Sequence, residues 1–214
     1  TAALDEIIDG YVANPQATLS PTLIVYYNIY NMLQNDTILA SEHLDYMNPL
    51  IRMTDSQAQF DRWNGTKNED ATVTKRIRDQ HDFHLIIVKK LHERGVNIVG
   101  ITLPGFSIHQ ELEFYRQAGM SNYEALKTAT IIPSKTHEFL NGLGSIEEGK
   151  MANFLILDDN PLDELKTLQN PKMVFVKGRK INREQLSLFK EKAKNRSNLM
   201  ATALRYAEYL LLER

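Results

Sequence analysis

The sequence predicts an α/β fold, and three observations support that prediction. A helical stretch from Thr72 to Arg94 ends at Gly95. The apolar run Val96–Val99 follows it at once and resembles a buried strand. A second apolar run, Leu23–Tyr27, lies upstream. A helix, a glycine, a short apolar strand, a loop and a further helix in succession are typical of parallel α/β proteins.

The beginning of the chain is predicted to hold a helix, a strand and an insertion. Apolar residues repeat at helical spacing over residues 3–13, and Asn14-Pro15 ends that helix. The apolar residues that follow predict a strand over residues 18–27, buried on both faces. Pro21 should lie near the start of that strand, because proline cannot donate to a sheet. Residues 28–65 show no single pattern, and we interpret them as a long insertion.

Helices flank the second predicted strand, which covers residues 96–100. The stretch before it places its apolar residues on one helical face, formed by Val73, Ile77, Phe83, Ile87, Val88 and Leu91. After the strand, Ser107-x-x-Gln110 and Ser121-x-x-Glu124 are capping-box patterns. They predict helices that begin near residues 108 and 122.

The pattern changes after Gly142. Phe154–Leu157 and Met173–Val176 predict two strands with no helix of normal length between them, so they should pair as a small β unit. Residues 183–212 then place one apolar stripe at helical spacing, formed by Leu186, Phe189, Ala193, Met200, Ala203, Leu204, Ala207 and Leu211. This stripe predicts a long helix that buries it on the body of the protein or on a partner.

Composition narrows the classes of function. The 214 residues are 43% hydrophobic and carry a formal net charge of −2, which gives no general attraction to nucleic acid or acidic membranes. No run approaches the roughly 20 apolar residues that span a bilayer. Because the chain has no cysteine, it forms neither disulfides nor a thiolate zinc site. The missing cysteine suits the cytoplasm but leaves the localisation open.

One long block resembles a known family. It runs from Gly105 to Leu162 and contains ELEFYRQAGMSNYEALKTAT and GSIEEGKMANFLILDDNPL. The block is similar to the C-terminal signature of the amidohydrolase superfamily, in its imidazolonepropionase-like and zinc-dependent prolidase-like branch. LSPTLIVY resembles the seventh barrel strand of that family, and GVNIVG resembles the start of the eighth.

The resemblance implies two parts of a larger α/β protein. Residues 1–143 would be the C-terminal part of a (β/α)8 barrel of the TIM type. Residues 144–182 would supply strands of a small β-sandwich. Residues 183–214 have no counterpart in the family, and their apolar stripe predicts a C-terminal helical extension.

The resemblance also implies where the chemistry would lie. Family members carry an Asp at the end of the eighth strand, which binds metal and accepts a proton from the attacking water. Here that Asp would fall between Gly100 and Ile101, where the sequence has none. We expect a few residues, including the Asp, to belong there, whereas a genuine deletion would mean a dead enzyme. The other ligands of one or two divalent ions, zinc above all, would lie outside this chain, which as given has no metal ligand and no identified catalytic residue.

Two residues are candidate substrate-binding residues by resemblance. His109 would lie in the first turn of a helix that faces the barrel mouth, where free N–H groups favour anionic groups. The alternative is a histidine that only packs. Tyr26 would end the seventh strand at the same rim. His81 and His84 are expected on the solvent side of their helix rather than at a metal.

The resemblance therefore implies a metal-dependent hydrolase that cleaves C–N bonds in an amide, a cyclic amide or an Xaa-Pro-type peptide. Its partners would be a small-molecule or dipeptide substrate and the N-terminal part of the same protein, and a homo-oligomer is a further hypothesis. The alternative is a catalytically silent relative, kept as a binding or assembly module with the C-terminal helix as its contact surface. An upstream His-x-His and a Thr-Asp after Gly100 would favour the enzyme.

Overall fold

A computed structural model of the chain describes residues 2–49, 52–100, 107–136, 138–194, 200, 203–204 and 207–208. The α-helices are α1 (Ala2–Val12), α2 (Ile24–Gln34), α3 (Gln57–Glu69), α4 (Val73–Glu93), α5 (Ser107–Gln117), α6 (Asn122–Thr128), α7 (Ile131–Thr136) and α8 (Arg183–Lys194). The strands are β1 (Thr18–Leu19), β2 (Asn97–Ile98), β3 (Phe154–Ile156), β4 (Met173–Val176) and β5 (Arg179–Asn182). Short 3-10 helices lie at Ile38–Ala40, Glu42–Tyr46, Glu138–Leu140 and Leu165–Gln169, and a π-helical turn lies at Arg52–Ser56.

The two predicted barrel strands pair as expected. β1 and β2 are parallel neighbours, with Thr18 opposite Asn97 and Leu19 opposite Ile98. α4 lies between them in the sequence, as expected for the crossover connection that joins parallel strands. The prediction of adjacent parallel strands is therefore confirmed.

The predicted extent of the first strand is wrong. β1 ends at Leu19, and the chain is helical from Ile24 onward, so Tyr26 lies in a helix instead of at a strand end. Pro21 follows the strand and cannot extend its ladder. Thr22 then turns the chain with a φ of 50°. The run at residues 23–27 is apolar because the first turn of α2 packs into the core, which buries Leu23 and Ile24.

The chain forms two compact units, of which one comprises Thr1–Tyr27 and Arg78–Arg183. Its hydrophobic core includes Ile8, Leu23, Ile24, Val88, Leu91, Ile98, Leu112, Phe114, Tyr115, Ala118, Met120, Ala125 and Leu165. Most of these side chains come from α1, α2, α4, β2, α5, α6 and the 3-10 helix at Leu165–Gln169, and Leu23, Ala118 and Met120 lie in the adjoining segments. Phe83, predicted on the buried face of α4, is 46% exposed instead.

The other unit comprises the described residues of Asn28–Ile77 and Glu184–Arg214. Within it, Lys67 Nζ donates to the carbonyl oxygen of Leu33 at 2.7 Å. Arg52 forms an ion pair with Asp45 at 3.0 Å. No helix among the described residues of the chain is long and apolar enough to cross a bilayer.

The predicted small β unit is a three-stranded antiparallel sheet in the order β3-β4-β5. Leu155 pairs with Val174, as expected for neighbouring strands, and the rings of Phe154 and Phe175 stack with centroids 4.4 Å apart. β5 was not predicted. It follows a two-residue turn at Lys177-Gly178, where both φ values are positive, as in the type I′ turns of hairpins.

A helix was predicted over residues 183–212. The structure shows α8 from Arg183 to Lys194 within that range. Most of the later residues lie outside the described part of the chain. Of the predicted stripe, Phe189 is 53%, Met200 79% and Leu204 67% exposed. The described residues of this chain do not bury these three side chains, so burial on the barrel of the complete protein or across a homodimer stays a prediction.

Candidate functional site

The candidate site lies at the edge where β1 and β2 both end. The N–H of Val99 donates to the carbonyl oxygen of Leu19 at 2.9 Å, which extends the parallel pairing by one step. The N–H of Gly100 then turns away and donates to the carbonyl oxygen of Thr128, at the end of α6, at 2.7 Å. Parallel strands present their carboxyl ends at one edge, so the Ser20–Thr22 turn and Gly100 share that edge.

Glu111 of α5 is fully buried beneath this edge, at 0% exposure. Its Oε1 accepts a hydrogen bond from the N–H of Leu23 at 2.8 Å, and its Oε2 accepts one from the N–H of Ile24 at 3.0 Å. Burial raises the pKa of Glu111, and the two backbone hydrogen bonds oppose that shift because they favour the carboxylate. The carboxylate thus satisfies two N–H groups at the N-terminus of α2, which a helix cannot satisfy by itself.

Tyr115, one helical turn after Glu111, connects α5 to the second strand. Its hydroxyl donates to the carbonyl oxygen of Val99 at 3.4 Å. Burial and the charge of Glu111 raise the pKa of Tyr115 above its ordinary value, so the phenol stays protonated and remains a donor. Two residues on one face of α5, Glu111 and Tyr115, therefore form hydrogen bonds with the backbone that follows each of the two strands.

His81 of α4 and Tyr27 of α2 lie beside this buried cluster on α5. His81 is only 8% exposed, so the prediction that it lies on the solvent side is wrong. Its ring packs edge-on against Phe114, with centroids 4.8 Å apart, and lies 5.9 Å from the ring of Tyr27. Burial lowers the pKa of His81, while the charge of nearby Asp82 acts against that shift.

His109 lies in the first turn of α5, where it was predicted. It is half-buried, and burial lowers the pKa of its imidazole, which favours the neutral ring. It lines a cleft of about 360 Å³ between α5 and the 3-10 helix at Leu165–Gln169. Charged side chains of both signs also line the cleft, and Arg116 and Glu113 form an ion pair at 3.4 Å.

Tyr26 has different surroundings from His109. Its ring packs edge-on against His84 of α4, with centroids 4.8 Å apart. His84 is half-buried and lies 2.9 Å from Gln80 Nε2, so it too is not a solvent-side residue. Tyr26 is not among the residues that line the cleft at His109. The structure therefore places the two candidates in different environments.

The described residues do not fit a metal site by themselves. Among them, no group of three or more histidine, aspartate or glutamate side chains is arranged to hold an ion. Asp158 is engaged in ion pairs with Arg183 at 2.8 Å and Lys172 at 3.5 Å, as suits a structural turn. The expected gap between Gly100 and Ile101 falls at residues 101–106, which lie outside the described part of the chain.

Two buried polar residues, Glu111 and His81, were not predicted to be buried, although each stands on an apolar stripe. Glu111 follows Ile108 by three positions and precedes Tyr115 by four, so a carboxylate occupies a core position of α5. His81 follows Ile77 by four positions and precedes the buried Val88 by seven, so an imidazole occupies a core position of α4. A polar residue on such a stripe is the available signal, because buried polar groups require partners.

Comparisons with known proteins agree on the family. The model of the amidohydrolase family matches residues 54–181. Ochratoxinase from Aspergillus niger is 35% identical over 97 residues, which cover 44% of this chain and 20% of that enzyme. A putative prolidase from Bifidobacterium longum matches 89% of this chain and 44% of its own, with a TM-score of 0.57 and 23% identity.

A solved Xaa-Pro dipeptidase with methionine bound in its active site is a further structural neighbour. It matches 83% of this chain and 37% of its own, with a TM-score of 0.54 and 21% identity. This chain thus spans less than half the length of each of these relatives. The structural neighbours imply a TIM-barrel-type fold, in agreement with the parallel pairing of β1 and β2.

Proposed function

This chain belongs to the amidohydrolase family, and we propose that the protein containing it hydrolyses C–N bonds in an amide, a cyclic amide or an Xaa-Pro-type peptide. Residues 1–143 would be the C-terminal part of its barrel. Residues 144–182 would be strands of its β-sandwich, and residues 183–214 a helical extension. The shares of 20%, 37% and 44% of the relatives' lengths support a larger protein whose N-terminal part completes the site.

The observation that carries this proposal is that α5 forms hydrogen bonds with the backbone after both strands. In barrels of this type, substrates meet the C-terminal ends of the strands and the loops that follow them. Glu111 holds the turn after β1, and Tyr115 reaches the carbonyl oxygen of Val99 after β2. Such buried, fully bonded groups hold an edge in one geometry before a substrate arrives, which hydrolysis of a stable C–N bond requires.

His109 and Tyr26 are the proposed substrate-binding residues. A neutral His109 offers one ring N–H donor and one acceptor at neutral pH, and its position at the N-terminus of α5 favours an anionic group of the substrate. Tyr26 lies in the first helical turn of α2, which follows the Ser20–Thr22 turn. We place its hydroxyl at the rim of the site.

Zinc or another divalent ion is the cofactor that members of this family typically use. Because the described residues hold no cluster that fits an ion, we place its ligands in the N-terminal part of the protein and at the Gly100–Ile101 junction. In other members, the ion's chemistry is to activate water and polarise a carbonyl. The residues described here contribute the shape of the edge and contacts to the substrate.

The product of the complete gene, assayed for release of amine, tests the proposal. One substrate is taken from each class: an N-acyl amino acid, a cyclic amide and an Xaa-Pro dipeptide. We expect turnover of at least one, and His109→Ala should raise its KM about tenfold, since a substrate contact is lost. Binding of these compounds without turnover would instead support the silent module.

A further inference from the structure

We infer that Glu111 is a positioning residue that fixes the shape of the Ser20–Thr22 turn, at the substrate edge, by tying the first N–H groups of α2 to α5. The inference rests on the proposed function, because it assumes that substrate meets this edge. Glu111 itself is fully buried. It would therefore act through the turn, without touching the substrate.

The connection reaches across the fold from a distant part of the chain. A helix N-terminus is usually capped by a side chain close to it in sequence. Here the carboxylate that binds the N–H of Leu23 comes from 88 positions further on. Both of its oxygens are used, one for each N–H, so the carboxyl plane fixes the direction in which α2 leaves the turn.

The turn itself has a backbone conformation that needs support. Thr22 has a φ of 50°, in the left-handed region that β-branched residues rarely adopt. Such a conformation persists where the surrounding structure over-determines it. The Glu111 carboxylate accepts the N–H groups of the two residues that follow Thr22, which are Leu23 and Ile24. The conformation of this turn is therefore stabilised by surrounding residues more than by the intrinsic backbone preference of Thr22.

The test substitutes Glu111 by glutamine in the product of the complete gene. The amide keeps one acceptor oxygen but turns an NH2 group toward the second N–H, so one bond is lost and two donors face each other. Two quantities are measured: amide hydrogen exchange in the segment 20–27, and kcat and KM for the hydrolysed substrate. We expect faster exchange confined to that segment, and a KM raised about tenfold with kcat changed by less than about threefold.

Glu124→Gln is the matched control, because Glu124 also accepts a backbone N–H at a helix N-terminus, from Ser121 at 2.8 Å, but lies on the surface at α6. It should change neither KM nor exchange in the segment 20–27. If Glu111→Gln does not fold, Tyr115→Phe replaces it, because it removes the buried hydroxyl that interacts with the same carboxylate and donates to Val99. It should raise KM about threefold with faster exchange in the segment.

The outcomes separate the two proposals. An active enzyme in which the Glu111 variant, or its replacement, leaves KM unchanged overturns the positioning role. Unchanged exchange in the segment 20–27 overturns it whether or not the protein is active. A wild-type protein that hydrolyses none of the substrates overturns the proposed function, and the substrate role of Glu111 with it. Faster exchange would then show only that the connection to α2 exists.

Discussion

Gly144 packs directly against Ser134: a β-carbon at position 144 would stand 2.5 Å from the hydroxyl oxygen of Ser134 and 2.7 Å from the carbonyl oxygen of Thr130. Gly144 also has a φ of +87°. We therefore predict that Gly144→Ala lowers the free energy of unfolding by about 2–4 kcal/mol, because the clash adds to the cost of the left-handed backbone. Urea denaturation measures the change.

Two other glycines separate the clash from the backbone cost. Gly149 has a φ of +85°, but nothing lies within 4 Å of its would-be β-carbon. Gly149→Ala should therefore cost only about 1–2 kcal/mol. Gly10, inside α1, has open space and no positive φ, so Gly10→Ala should stabilise by about 0.5–1 kcal/mol. Equal losses at positions 144 and 149 would contradict the packing of Gly144 on Ser134.

The capping box at the start of α6 gives a second prediction. The hydroxyl oxygen of Ser121 accepts the N–H of Glu124 at 3.2 Å, and the Glu124 carboxylate accepts the N–H of Ser121 at 2.8 Å. Ser121→Ala should lower the free energy of unfolding by about 1 kcal/mol. Thr130→Ala is the control, since it removes an exposed hydroxyl bonded within its own turn and should change stability by less than about 0.5 kcal/mol. If both variants behaved alike, the box would have no stabilising role.

The buried histidine predicts how stability depends on pH. Burial lowers the pKa of His81 below its ordinary value of 6.5, so the folded state resists protonation while the unfolded chain accepts a proton near that value. The unfolded state then binds more protons, and stability falls as pH falls from 6.5 toward the lower pKa of the folded state. Burial lowers the pKa values of His84 and His109 as well, with the same sign.

His81→Phe isolates the contribution of His81. The new ring keeps the contact with Phe114 but cannot take a proton. The free energy of unfolding, measured between about pH 7.5 and about pH 5.5, should fall less steeply in the variant than in the wild-type protein. Identical slopes would show that His81 is not the group that resists protonation.

Local patterns in the sequence predicted the elements whose causes are local. β2 (Asn97–Ile98) lies within the run predicted at Val96–Val99, which follows a glycine stop, and the helix after Ser121 carries its own capping box. The predicted extent of the first strand was wrong, because the end of this strand depends on a side chain that is distant in the sequence. The N–H groups of Leu23 and Ile24 find their acceptor on Glu111, which no periodicity near residue 23 reveals.

Burial explains the remaining differences. β5 was missed because Arg179–Asn182 forms a mostly exposed edge strand whose charged residues do not alternate with apolar ones. The site was assigned to this edge through resemblance, and that assignment stays a prediction. The supporting residues of the site were not predicted, because Glu111 and His81 resemble surface residues until their partners are known.

The rate of amine release by the product of the complete gene, with and without a change at Gly100, tests the central claim most directly. A β-carbon at position 100 would stand 3.1 Å from the hydroxyl oxygen of Thr128, so Gly100→Leu should displace the strand-end edge. The account predicts hydrolysis of at least one of the three C–N substrates, with kcat/KM lowered at least about tenfold in Gly100→Leu and unchanged in Thr130→Ala. A folded wild-type protein that releases no amine, or a Gly100→Leu variant as active as wild type, would contradict it.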